Sequence, residues 1–375
     1  MNINTLRLPQ RRIETPDLSS LEVQAYGADN LYPQRLYEII SSSVTGVGCL
    51  SRYIKFIRGN GVEDTTLGET IINHTGETVN DILSLTAEDL ARYGGFAWHI
   101  GYNALGEVAS IRVIPFEWVR LHSADERGVI SSVAVFDNWD GVRLRGGKTY
   151  RATRKTVKYL PIYTPAKDKV YEQMKAAGGV NFYTGQVLYV SSAGHLTYPL
   201  PRYDAAVTDL STDEGLSNVK YRNVRCNFLP SGMLLSQKGD AADDEAMSMS
   251  LAAFQGDVNV GKLMHISYDN EESKPTFLPL DTKNYDKEFS YTEESTIARI
   301  YSAFEQEVFY RIRTGSVGFS AEMITDAFNY YNACVADERA IIERAFDKVL
   351  SSSVFSQNTS NVKIIPLKYD RDANI

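Results

Sequence analysis

The sequence predicts an α+β fold in which a β-rich body carries several long helices. Three observations lead there. Apolar residues recur at spacings of three and four over 31–58 and 80–93, alternate along most of 95–192, and return to helical spacing in three longer segments after residue 200. A chain of 375 residues has material for two or three domains and a full core.

Residues 1–25 are polar and arginine-containing and read as an extended arm. The stretch AYGADNLYPQRLYEII follows, in which Asp29 and Asn30 suit a turn and a helix cap, and Tyr26 and Tyr32 suit packing. Pro33 fits a first helical turn, because its missing N–H costs nothing there. Leu36, Ile39 and Ile40, then Val47, Leu50, Ile54 and Ile57, give a helical pair over 31–58 that ends at the glycines of RGNGV. A helix over 80–93 leads into FAWHIGYNALGEVASIRVIP, a hairpin with NALG at its turn. GVISSVAVF, VKYLPIY, VNFY and QVLYVSS read as strands, interrupted by a helix at 166–177.

After two prolines a long helix is expected over about 202–228, with a broken stripe of Tyr203, Val207, Leu210, Leu216, Tyr221, Val224 and Phe228. So patchy a stripe fits a helix packed against copies of itself. A small mixed module follows, with strands at MLLSQ, GKLMHISYD and PTFLPL and a helix at 240–255. Residues 236–295 hold thirteen Asp and Glu against five Lys, which concentrates the negative charge there. A second long helix is expected over 286–309, on Ile297, Ile300, Tyr301, Phe304 and Val308. It breaks at the loop RIRTGSVGFSAE. A third spans 320–350, on Ile324, Phe328, Tyr331, Val335, Ile342, Phe346 and Val349. The tail carries one short strand candidate.

Composition limits the function. Thirty-nine Lys and Arg against 47 Asp and Glu give a net charge of −8, whereas a protein gripping DNA through its phosphates is usually basic. No apolar run reaches the roughly eighteen residues of a membrane span, and the N-terminus lacks an apolar signal core. Cys49, Cys226 and Cys334 are odd in number and far apart, and five scattered His without a CxxC argue against zinc. No metal or cofactor is expected. The 23 Tyr suit either strands or wet interfaces.

Catalytic motifs are weak. GNGVEDTTLGET lacks the Gly-Lys-Ser/Thr of a phosphate loop and reads as a helix cap and loop. No GxSxG exists, and SSAGH merely sets Ser191 near His195 in sequence. The pair Asp213-Glu214 and the run Asp243-Asp244-Glu245 read as solvated helix faces. Arg311 and Arg313 beside Gly315-Ser316-Val317-Gly318 allow two readings, a plain helix connection or a loop that brushes a polyanion without holding it.

The order of these pieces resembles the portal proteins of tailed bacteriophages over residues 25–350. YGADNLYPQRLYEIISSS with RYIKFIRGNGV looks like their start. YGGFAWHIGYNALGEV with IPFEWVRL looks like the β-rich wing. YPLPRYDAAVTDL through NFLPSGML looks like the first stem helix entering the clip, and NYDKEFSYTEESTIARIYSAF like the second leaving it. FSAEMITDAFNYYNACVADERAIIERAF resembles the helix after the tunnel loop. The implied divisions are an arm (1–25), wing (26–200), first stem helix (201–228), clip (229–284), second stem helix (285–309), tunnel loop (310–319), long helix (320–351) and tail (352–375), with any crown very small or absent.

The resemblance implies a non-enzymatic homo-oligomeric ring, typically of twelve subunits, at one capsid vertex. Double-stranded DNA would pass through it, with terminase, a head-tail adaptor and the major capsid protein as partners. The setting implied is the virion, and the host cytoplasm during assembly. Arg311, Arg313, Thr314 and Ser316 would then face the channel; Lys220, Arg222 and Arg225 would line the stem or bridge subunits. Asp243, Asp244, Glu245, Asp269, Glu271 and Glu272 would form the clip's docking surface. The alternatives are a soluble cytoplasmic hydrolase using acidic residues of the β-rich region, and another head-tail connector component.

Overall fold

The computed structural model describes residues 15–141, 150–193, 196–225, 232–235, 276–279, 285–316, 320–355 and 362–369. The expected helical pair is present as α1 (Tyr32–Ser42), with Pro33 in its first turn, and α2 (Val44–Arg58). Ser43 ends one and starts the other, and its Oγ accepts from the Gly46 N–H at 2.9 Å, a serine cap of the usual kind. A single turn, α3 (Thr65–Gly68), is capped by Asp64, so GNGVEDTTLGET is indeed a cap and loop. The helix expected over 80–93 is α4 (Val79–Tyr93), opened by a reciprocal Thr78–Asp81 capping box. It closes on Gly94 at φ 78, where a Cβ would lie 2.6 Å from the Leu200 carbonyl. Only glycine turns this corner into the sheet.

Two short strands, β1 (Asp17–Leu18) and β2 (Val23–Gln24), precede these helices. The hairpin expected from NALG is β3 (Gly95–Tyr102) with β4 (Val108–Ile114), and β8 (Gln186–Ser191) flanks β3 on its other side in an antiparallel order β4-β3-β8. A second sheet runs β5 (Val119–Leu121), β6 (Ser132–Val135), β7 (Lys158–Pro161). The bridge from Ile162 to Val187 links the two sheets, and that from Val23 to His122 extends the second. The helix α5 (Lys167–Ala176) lies where 166–177 was expected. VNFY is not a strand. Gly178 and Gly179, at φ 91 and 119, turn the chain just before it, and residues 180–182 form a 3-10 turn with Val180 and Phe182 exposed. Strand-forming residues without a neighbouring edge to pair with do not make a strand.

After residue 200 the first helix starts later than its periodicity suggested and the other two are broken. The first is α6 (Val207–Arg225), preceded by a 3-10 turn at 204–206. The second is α7 (Tyr285–Ala303), separated by a break from α8 (Glu307–Arg313). The third is two helices, α9 (Ala321–Cys334) and α10 (Ala336–Leu350), parted at the buried Val335. The freed carbonyls at the end of α9 are taken by arginines. Arg339 donates to Asn332 O at 2.6 Å, and Arg202 to Cys334 O at 3.1 Å. Cations suit helix C-termini, and these satisfy carbonyls that would otherwise be orphaned. Between α6 and α7, β9 (Gly232–Leu235) pairs antiparallel with β10 (Thr276–Pro279), matching MLLSQ and PTFLPL. The remainder of the expected mixed module lies outside the described residues.

A main apolar core runs from Tyr26 to Ile364, and a smaller one gathers Val23, Ala134, Phe136 and Val157 at the second sheet. Trp98 of β3 packs on Phe346 of α10 at 4.6 Å and donates its indole N–H to Thr86 Oγ1 at 2.8 Å. Tyr26 stacks on Tyr198 at 4.1 Å and on Tyr32 at 5.3 Å, so both tyrosines of the opening motif do pack. Asn30 holds that motif in place. It sits at φ 64, and its Oδ1 accepts from the Tyr26 N–H at 3.0 Å and from Nε of the fully buried Arg120 at 2.5 Å. Neither Asp29 nor Asn30 caps α1, whose N-cap is Leu31. Asp29 instead accepts from the Leu31 N–H and pairs with Arg35 at the surface.

Asn30→Ala should therefore cost about 2–4 kcal/mol, from the removal of a buried acceptor and a strained left-handed alanine. Asp29→Ala, an exposed pair, should cost less than about 1 kcal/mol. Urea denaturation of both variants measures the difference, and equal losses would contradict the role given to Asn30.

Candidate functional site

The helices α6 and α7 leave the core side by side. Leu210 and Ile300 are fully buried at their bases, where Asp209 pairs with Arg299 at 3.3 Å. Further out, Lys220 of α6 pairs with Glu293 of α7. Beyond Asp213 no described side chain of α6 is buried, and Ser290, Tyr291, Thr292, Glu294 and Ser295 of α7 are exposed. Tyr221 and Tyr291 are 60% and 76% exposed. Two helices alone cannot bury both of their faces, so this pair presents surface that a neighbour could cover.

Asp213 corrects the reading of its stretch as a solvated face. It is buried and accepts from Ser43 Oγ at 2.6 Å and the Thr45 N–H at 3.2 Å, while Glu214 accepts from Ser42 Oγ at 2.8 Å. A carboxylate over the first turn of α2 meets unpaired N–H groups and the positive helix end. Its partners lie about 170 residues away in sequence, so no local signal reveals them.

At its other end α7 stops on a polar joint. Glu305 adopts φ 55, the Gln306 N–H reaches back to Tyr301 O at 2.8 Å, and the Glu305 N–H to Ser302 O at 2.9 Å. This is a Schellman motif with glutamate in place of glycine. A left-handed non-glycine costs about 1–2 kcal/mol, and two contacts hold it. The Glu305 carboxylate pairs with Arg202 at 3.1 Å. The Gln306 side chain, fully buried, donates to Cys49 O (2.9 Å) and Tyr331 Oη (2.8 Å) and accepts from Arg52 (2.6 Å). Arg202 also pairs with Glu338 at 2.7 Å, which accepts from Tyr53 Oη.

The joint aims α8, and α8 presents the arginines. Arg311 and Arg313 are not in a loop but in the last helical turn, Arg311 exposed and Arg313 exposed beside it. Gly315, at φ 71, closes that turn with Gly315 N–H to Ile312 O at 3.2 Å and Ser316 N–H to Arg311 O at 3.1 Å. Thr314 Oγ1 bonds Arg311 O at 3.2 Å and Ser316 Oγ at 2.8 Å. Two of the expected channel residues are thus exposed cations and two are exposed hydroxyls that cap the helix. Residues 317–319 lie outside the described residues. Arg313 donates to Tyr301 Oη at 3.4 Å, which holds its guanidinium in the charged form. Arg52 lies over the Phe309 ring at 4.7 Å and near the Tyr301 ring at 5.9 Å. Sequence reading missed Arg52 and Gln306, because neither has a local signature. The side chains of Arg222 and Arg225 lie outside the described residues, as do Asp243, Asp244, Glu245, Asp269, Glu271, Glu272 and His195.

An enzymatic reading would look to a cleft of about 330 Å³ formed by Tyr37, Asp89, Arg92, Tyr93, Pro115, Phe116 and Glu117. Its lining has two carboxyls but, among the described residues, no Ser, Thr, Cys, His or Lys. The Glu117 carboxylate accepts from Tyr93 Oη at 3.2 Å. Burial pushes the Asp89 carboxyl up to about 8, although Arg92 and the Phe116 N–H, 3.3 Å away, pull it down. The described residues hold no group of His, Cys, Asp and Glu arranged for a metal.

No protein-family model matches the sequence, and no curated protein matches it. Solved structures are similar at low identity. One is a chain in the virion of a native gene transfer agent particle, 14% identical over 89% of this chain and 83% of the other, with a TM-score of 0.49. A second is a chain in the neck of the native particle computed with C12 symmetry, 14% identical over 89% and 84%, with a TM-score of 0.49. A third is an HK97-family phage portal protein from Corynebacterium diphtheriae, 11% identical over 88% and 95%, with a TM-score of 0.45.

Asp89 generates a pH dependence. The folded chain keeps a proton on Asp89 that the unfolded chain, with a carboxyl near about 4, releases. The stability from this group is full below about pH 4 and is lost as pH rises to about 8. Asp89→Asn should gain on the parent steadily across that window, as urea denaturation at its two ends would show. Parallel stability curves for parent and variant would contradict the assignment.

Proposed function

We propose that this chain is a phage portal subunit: a non-enzymatic member of a closed ring, expected to hold twelve copies, at one capsid vertex. Double-stranded DNA passes through the ring during packaging and ejection. The observation that carries the reading is the α6–α7 pair, rooted in the core and then largely exposed along its described outer residues. A closed ring covers such surfaces without leaving an open edge. The order of elements supports it too: helical pair, sheets, long helix, strand pair, long helix, arginine-bearing turn, and two further helices.

The charge distribution suits a conduit. Affinity for DNA rises with every phosphate neutralised, and a ring multiplies each contact by its copy number. An acidic chain that exposes two arginines at one turn lets DNA slide rather than stick. On this reading the clip, residues 229–284 with their acidic residues, docks terminase during packaging and the head-tail adaptor afterwards, and the outer body meets the major capsid protein. The protein then resides in the virion, and in the host cytoplasm while heads assemble.

Arg311→Ala combined with Arg313→Ala should leave ring assembly intact, as sedimentation velocity would show, while heads made with the variant package or retain less DNA. Normal DNA filling would remove the arginines from the channel. A full-length chain that sediments as a monomer at high concentration would defeat the ring.

A further inference from the structure

Arg52 is the unexplained cation of this region. It comes from α2, far from α8 in sequence, yet its guanidinium lies against Phe309 and Tyr301, the same tyrosine that Arg313 reaches. Arg52 lies 5.9 Å from the Tyr301 ring and Arg313 donates to the Tyr301 hydroxyl at 3.4 Å, so the two guanidiniums approach one side chain from different helices. Burial pushes the Cys49 thiol up to about 12, with Arg52 and Arg313 pulling it back down and Asp213 adding to the rise.

Converging like charges repel unless something anionic sits between or above them. Among the described residues no carboxylate does so. Neither Arg52, Arg311 nor Arg313 makes an ion pair there, whereas Arg202, Lys220 and Arg299 nearby all do. Asp213 is taken up by Ser43 and Thr45. Arg52 gives one N–H group to Gln306 and makes no other hydrogen bond among the described residues. Gln306 and the Phe309 face fix its orientation, and its remaining donors lie on a half-buried side chain open to solvent. A preoriented guanidinium with free donors, near the exposed Arg313, is suited to phosphate oxygens.

We infer that Arg52 is a third phosphate-contacting residue, which receives the DNA backbone together with Arg311 and Arg313. This rests on the portal reading for the presence of DNA, but not for the convergence of the charges. The contact is one of charge and hydrogen bonds to phosphate, without base readout.

The test uses full-length protein and a short DNA duplex, with binding followed by fluorescence anisotropy across a salt series. Arg52→Gln should weaken binding several-fold and lower the slope of log affinity against log salt by about one for each phosphate left without its arginine. Arg52→Lys, which keeps the charge, should preserve most of the slope. An unchanged slope in Arg52→Gln overturns the inference, whatever Arg311 and Arg313 do. A weakening in Arg52→Lys equal to that in Arg52→Gln also overturns it, because it would mean that Arg52 acts only by packing on Phe309. In a parallel arm, Arg311→Gln with Arg313→Gln separates the two ideas. If that pair binds normally while Arg52→Gln does not, the phosphate contact of Arg52 stands, but its joint action with the α8 arginines is overturned along with their own assignment.

Discussion

Much of the molecule's geometry depends on one buried amide. Gln306 sits where α7 ends, and its side chain is bonded to α2 through Cys49 O, to α9 through Tyr331, and to Arg52. Every polar atom of that amide is used, so the joint is specific as well as buried. It fixes the direction in which α7 leaves the core and the direction in which α8 returns, and hence where Arg311 and Arg313 stand. Glu305 supplies the left-handed turn beside it, held by Arg202, which also ties Glu338 and the end of α9. Five helices, α2 and α7 to α10, therefore meet at one polar cluster.

That joint has a consequence for assembly. Among the described residues the Lys220–Glu293 and Asp209–Arg299 pairs tie the two helices together, and each is worth at most about 1 kcal/mol. On the proposed ring, copies of the chain would cover the rest of the pair. A rigid root is what such an arrangement needs, because a ring closes only if every copy presents the pair at the same angle. The buried hub gives that angle a physical cause.

How much of this was legible in the sequence follows from how local each cause is. Pro33, Gly94 and Gly315 act on their own backbone and mark their turns in the sequence. The helical pair, the NALG hairpin and the strands around 133, 160 and 188 were readable from periodicity alone. The breaks at Glu305 and Val335 were not, because each is held by arginines or an amide distant in sequence, and glutamate and valine both continue a helical pattern. Asp213 was misread for the same reason. The polar run STDEG looks solvated until α1 and α2 are placed over it. Of the candidate site, Arg311 and Arg313 were visible as cations near glycines, but their place in a helical turn was not. Arg52 became visible only once Phe309 and Tyr301 were in space.

The central claim is that the exposed α6–α7 pair is a wall shared by copies around an axis. Electron microscopy of the purified full-length protein addresses it most directly. The account predicts rings with a central hole, and at higher resolution α6 and α7 of successive copies packed around that hole with Arg311 and Arg313 facing it. Compact single particles, or rings with the β3 sheet at the axis and α6–α7 pointing outward, would contradict it.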